Sequence, residues 1–132
     1  TSAQSIPTAS ETTVTGWTKV YDNTNSFNAT TGAFTAPISG EYELNALICY
    51  ALAAWTAGND IELYAYANYT QSNLDVIFPP TTATTIFSLK GSVKFKLLAG
   101  QISYISVYQN SGSSRSLINQ ARLNHITISR VS

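Results

Sequence analysis

The stretch FNATTGAFTAPISGEYELNA, Phe27 to Ala46, decides the fold. Ala33-Phe34-Thr35-Ala36 is a short extended run. Pro37 stops it, because proline lacks the amide that a sheet ladder needs and so belongs at strand ends or edges. Ser39-Gly40 turns the chain. From Glu41 the pattern alternates strictly, with Tyr42, Leu44, Ala46 and Ile48 on one side and Glu41, Glu43 and Asn45 on the other, the period of a half-buried strand. Past Asn45 the second side becomes Leu47 and Cys49, so the far half of the strand is expected to be buried on both faces.

Outward from this stretch the same period recurs. Toward the N-terminus, Val14 to Tyr21 reads as the first strand, since Thr13, Thr15 and Trp17 favour extended backbone, and Asp22-Asn23-Thr24-Asn25 reads as a turn. Residues 1–12, polar around Pro7 and without periodicity, are expected to form an arm or stalk junction to a domain spanning 13–132. Toward the C-terminus, Ile61, Leu63, Ala65 and Ala67 alternate with Glu62, Tyr64, Tyr66 and Asn68. Leu74 to Phe78 is a short strand ended by Pro79-Pro80, Thr81 to Thr85 a loop, and Ile86 to Leu98 a strand with Val93, Phe95 and Leu97 inward and Lys94 and Lys96 outward. Ile102 to Gln109 and Leu123 to Val131 complete the set. No segment has helical period. About ten short strands separated by Gly, Pro and Asn turns predict an all-β sandwich.

The same residues resemble the signature of the C1q-like family, globular heads that share the jelly roll of tumour necrosis factor. Asp22, Phe27, Phe34, Gly40 and Tyr42 fall on the signature's Asp, aromatic, Phe, Gly and Tyr. Gly16 stands where the family has Phe, with Trp17 beside it, and Leu44 and Ala46 replace aromatics. Ser88-Leu89-Lys90-Gly91-Ser92-Val93, then Leu97 to Gln101, and the closing LNHITISRV from Leu123 to Val131 are similar to later family strands. The resemblance implies a jelly-roll sandwich and a homotrimer, here of a viral or bacterial member. Two strands are apolar on both faces and call for a second partner. The resemblance puts their sheet at the three-fold axis, with Tyr64, Tyr66, Tyr104 and Tyr108 as the trimer interface.

Length and composition bound the function. A chain of 132 residues is one domain with room for a core. Zero net charge and 11% charged residues leave no electrostatic footprint for nucleic acid or an anionic membrane. Hydroxyls and amides supply the solubility instead, which points to an extracellular, virion-surface or cell-surface setting. Cys49 is the only cysteine, so no internal disulfide forms, and it reads as a small buried hydrophobe. The longest apolar run, Ala46 to Trp55, is far below the roughly 20 residues of a membrane span. The chain starts at Thr1 without a leader pattern and reads as a processed piece of a longer protein.

No catalytic chemistry is expected. His125 is the only histidine and stands in the closing strand, which leaves no triad base and, with one cysteine, no zinc site. Glu41 and Glu43 are the wet side of a strand rather than a glycosidase pair, and no glycine-rich phosphate loop is present. Calcium is possible by resemblance to some relatives, but Asn59-Asp60 and Asn73 with Asp75 are sparse beside the six to eight oxygens such a site takes, and read as turn residues. Asn28-Ala29-Thr30 and Asn68-Tyr69-Thr70 match the glycosylation acceptor pattern, which an Asn- and Thr-rich chain meets by chance.

What remains is binding. The first reading is a non-enzymatic receptor-binding or adhesion head at the tip of a trimeric fibre, spike or collagen-like stalk, with a cell-surface protein or glycan as receptor. Ala53 to Asn59, Pro79 to Thr85 and Asn110 to Ser116 are the expected contact loops, and Trp55 and Arg115 the expected anchors. The alternatives are a structural trimerisation or capsid-decoration module without a ligand, and a lectin that stacks a sugar on Trp55.

Overall fold

The computed structural model describes residues 3–132. In chain order the strands are β1 Ser5–Ile6, β2 Thr12–Thr13, β3 Phe27–Asn28, β4 Ala33–Thr35, β5 Gly40–Cys49, β6 Ala53–Trp55, β7 Ile61–Ala67, β8 Thr70–Ile77, β9 Ala83–Thr85, β10 Ser88–Leu97, β11 Ile102–Gln109, β12 Arg115–Ser116 and β13 His125–Arg130. No described residue is helical. One sheet runs β3-β4-β11-β7-β8, with β2 also paired to β11, and the other runs β10-β5-β13. The pairs β1-β12 and β6-β9 are small ribbons beside them. Every pairing is antiparallel.

The two sheets enclose the core that alternation predicts. Leu44, Ala46 and Ile48 from β5 meet Leu63 and Ala65 from β7 and Ile105 and Val107 from β11. Cys49 is buried, and free. A second cluster, Phe34, Ala36, Tyr42 and Leu97, closes one end. There Phe34 meets Tyr42 edge to face at 5.4 Å, and the Tyr42 hydroxyl donates to the Ile38 carbonyl at 2.6 Å. Gly40 is required because a Cβ would collide with the Ser132 carbonyl and the Arg130 side chain as the end of the chain passes.

Four segments differ from the sequence expectation. Residues 14–21 form no strand. Thr12–Thr13 joins β11 and Val14 adds one more backbone bond to Ile105, but Gly16 at φ 68° breaks the extended run. The chain then re-anchors through Trp17, whose amide donates to Ala29 and whose indole donates to the Val14 carbonyl. The segment expected as an arm is folded onto the body instead. Ile6 is 0% exposed, β1 pairs with β12, and Gln109 donates to the Ile6 carbonyl; Thr1 and Ser2 lie outside the described residues. The run from Leu74 is the far half of a longer strand, because Asn68 and Tyr69, at φ 47° and 66°, make a tight two-residue hairpin turn from β7 into β8. Likewise the segment 81–98 is two strands, β9 and β10.

Asp22 shows what one signature residue does. Its carboxylate accepts from the Ser26 amide at 3.1 Å and the Phe27 amide at 3.0 Å, and pairs with Lys19 at 3.0 Å, so it fixes the turn that delivers Phe27 to the sheet. Burial alone would raise its pKa, but the two amides and Lys19 outweigh that and lower it from 3.8 to about 2. A pKa lower in the folded chain means stability that is complete above the unfolded value and is lost as pH falls through the folded one. Asp22→Asn is expected to cost about 1–2 kcal/mol at neutral pH and to flatten the loss of stability between pH 3.8 and about 2; urea unfolding at several pH values checks both.

Candidate functional site

The three loops expected to meet a ligand do converge at one end of the sandwich. Gly58 donates its amide to Pro79, Ala57 to the Thr82 hydroxyl and Asp60 to the Asn110 side chain. Arg115 reaches across to donate to the Ala54 carbonyl. The expected anchors are not free, however. Trp55 is 1% exposed, packed edge-on against Tyr50 at 5.4 Å and Phe87 at 5.6 Å. Half-buried Arg115 covers it, with the guanidinium 5.2 Å from the ring centroid. Trp55 is therefore core, and Arg115 clamps the loops to it through cation–π contact and a backbone bond.

The four tyrosines do come together, on the outward face of the large sheet. Tyr66 stands opposite Tyr104, Tyr64 opposite Ser106, and Glu62 opposite Tyr108. All four rings are half-buried, and Tyr66 and Tyr104 stack at 4.8 Å with 12° between planes. A residue absent from the sequence expectation organises them. The Glu11 carboxylate accepts from the Tyr66 hydroxyl at 2.7 Å, Gln71 at 2.9 Å and Ser106 at 2.9 Å. Burial, then the Glu11 hydrogen bond, raises the Tyr66 pKa; burial and the Glu11 charge raise that of Tyr104. Glu62 is raised by burial, then by Asp60, against a hydrogen bond from Asn73. Glu11 sits in the stretch read as an arm, and a lone carboxylate among hydroxyls gave no signal.

The outward face of β10-β5-β13 has different chemistry. Lys94 is in register with Glu43 and Lys96 with Glu41, and Ser92, Asn45 and Thr127 form a polar row across the middle. Beyond β13 the sandwich opens into a groove of about 740 Å³, walled by Trp17, Phe27, Tyr42, Ile126 and Ile128. Val20 and Tyr21 stand at its rim, 87% and 80% exposed.

No family model matches the sequence, and neither does any curated protein. Solved structures do match over nearly the whole chain. The globular domain of zebrafish complement 1qA superposes with a TM-score of 0.63 at 15% identity, covering 98% of this chain and 91% of that one. Murine APRIL gives 0.64 at 12% identity, covering 97% and 92%. The Eiger TNF of S. frugiperda gives 0.53 at 15%, covering 77% and 66%. The chain has the jelly-roll fold of these C1q and TNF-type structures. Identity this low carries the fold alone.

Within this jelly roll Asp22, Phe27, Phe34, Gly40 and Tyr42, the residues that resemble the signature, all act structurally, as turn cap, core aromatics and close-passage glycine. Of the residues considered for calcium, Asn59 and Asp75 serve the backbone, while Asn73 donates to Glu62 and one Asp60 carboxylate oxygen is buried without a partner. Asn59 accepts from Thr56, and Asp75 from Val76 and Lys90. Among the described residues no group of three or more His, Cys, Asp or Glu side chains could hold a metal ion, and no helix is long and apolar enough to cross a membrane. His125 is exposed on β13. Trp55→Ala should destabilise the domain by about 3–5 kcal/mol and Arg115→Ala by about 1 kcal/mol, read by urea unfolding; a Trp55→Ala variant as stable as the parent would overturn its placement in the core.

Proposed function

We propose that this chain is a non-enzymatic binding head that assembles as a homotrimer at a virion or cell surface and recognises a receptor there. The observation that supports it best is the C1q/TNF-like fold over nearly the full chain, combined with outward apolar groups that a monomer leaves in water: Val20, Tyr21 and the groove beside them. Fold alone does not select a role. A purely structural trimerisation module is the second reading, and it has the same groove in its favour.

The side used for self-contact follows from charge. A three-fold axis through the tyrosine face would gather three copies of the Glu11 and Glu62 carboxylates, and like charges removed from water repel and cost desolvation. The β10-β5-β13 side instead sets Lys94 against Glu43 and Lys96 against Glu41, leaves Lys90 opposite Leu47, and adjoins the apolar groove. Charge balance and apolar area both favour that side. On this reading Tyr64, Tyr66, Tyr104 and Tyr108 face outward, not toward the axis as the family resemblance implied.

Light scattering over a range of concentrations tests this. The unmodified domain is expected to have the mass of a trimer, Val20→Asp with Tyr21→Asp that of a monomer, and Tyr64→Glu with Tyr104→Glu that of a trimer still. A monomeric parent would sink the assembly. Dissociation by the tyrosine pair alone would return the contact to the tyrosine face.

A further inference from the structure

We propose that the tyrosine face of the large sheet is a binding site for a neutral oligosaccharide. The inference rests on the reading of this domain as a binding head, and names the ligand class and the residues that would hold it.

The platform comes first. Tyr64 and Tyr66 lie two residues apart on β7, and Tyr104 and Tyr108 four apart on β11, so the rings are spaced by about 7 and 13 Å along neighbouring strands. Half-buried aromatic rings on a sheet suit the apolar C–H face of a sugar ring, while the sugar's hydroxyls need donors and acceptors around it. Those are present. The hydroxyls of Tyr64, Tyr104 and Tyr108 have no protein partner among the described residues, and one Glu62 carboxylate oxygen remains free while the other accepts from Asn73 at 3.3 Å.

The platform is also held in place before any ligand arrives. Tyr66 is fixed by its stack on Tyr104 and by two hydrogen-bond partners, Glu11 and Gln71. Ordering this half-buried ring in the folded chain spares binding the conformational entropy of fixing it. At the same place β8 carries an irregularity. Leu63 faces Asp75 but Tyr64 faces Asn73, so Leu74 is unpaired. Bulges of this kind re-aim neighbouring side chains and are enriched beside functional sites. Here the irregularity lies directly beside the Tyr64–Asn73 pair.

Charge narrows the ligand. The residues paired with or bonded to the four tyrosines include Glu11 and Glu62 and no lysine or arginine. A carboxylate-bearing face repels sialylated, sulfated and phosphorylated chains. Neutral hexose and N-acetylhexosamine chains meet no such penalty. Trp55, the other aromatic considered for a sugar, is buried.

The experiment is calorimetric titration of the intact domain with a panel of neutral hexose and N-acetylhexosamine oligomers, with sialylated and sulfated oligomers as controls. Saturable binding of a neutral member is expected, weakened about tenfold or more in Tyr66→Ala with Tyr104→Ala. Tyr64→Phe with Tyr108→Phe keeps the rings, hence the fold, and is expected to weaken binding by less. Binding that neither pair changes, binding confined to the charged controls, or no binding across the neutral panel overturns the proposal. The trimer is judged separately, by mass, so its failure and that of the sugar site are distinguishable.

Discussion

Strand β5 is hydrogen-bonded along both edges, in register with β10 over ten residue pairs and with β13 over six, and the rest of the sandwich depends on that double pairing. Because the side-chain period is two, a slip of one residue on either edge would turn a whole strand inside out. The observed register puts Leu89 beside Ile48, Val93 beside Leu44 and Phe95 beside Tyr42, and so sends the lysines of β10 to water. On the other edge it sets Ile126 beside Ala46 and Ile128 beside Leu44. Opposite Ala46 the β10 residue is Gly91, where a Cβ would lie 2.7 Å from the Leu74 carbonyl. The two sheets therefore touch closely along that side, at the bulge of β8, and the other side is left open as the groove beyond β13.

The first dozen residues have a part that their polarity conceals. Ile6 is a core residue and β1 is tied to β12, while Gln109 bonds the Ile6 carbonyl and Ala9 donates to Gln109. These contacts hold the chain against the large sheet, and five residues after Ile6 the Glu11 carboxylate reaches the tyrosines. Fold and candidate site are thus linked through one segment: whatever loosens Ile6 also releases the group that fixes Tyr66.

Where a strand is long and one face meets the core, the sequence pattern is legible. Alternation located β5 and β7 with their inward residues, and β11 as a strand apolar on both faces; that the four tyrosines share one sheet followed from the family resemblance. Alternation could not locate features whose partners are distant. Asn124 is buried because it bonds both backbone groups of Cys49, 75 residues away, and Glu11 meets Tyr66 and Ser106 at separations of 55 and 95. Nothing local marks either. The strand expected over residues 14–21 failed at Gly16, whose positive φ outweighed the β-propensity around it. Trp55 was unreadable for another reason. The run Ala51-Leu52-Ala53-Ala54-Trp55 does not alternate, so which way the indole faces is set by the pairing of β6 with β9, two three-residue strands between loops.

A chain with 11% charged residues that relies on tyrosine, serine, threonine and asparagine resembles the chemistry of recognition loops, where tyrosine gives contact area at little entropic cost and small polar residues supply adaptable hydrogen bonds. The tyrosine face is shallow, and water competes for every hydrogen bond it offers, so one copy holds a small neutral ligand weakly. Repetition is the physical remedy. Joining several weak sites raises the effective concentration for each later contact, by about 10²–10⁴ in overall avidity, without any new interaction. That gain requires the assembly contact and the binding contact to lie on different faces. The distribution of charge in this domain allows it, with opposed Lys–Glu pairs and the groove on one side and unpaired carboxylates among tyrosines on the other.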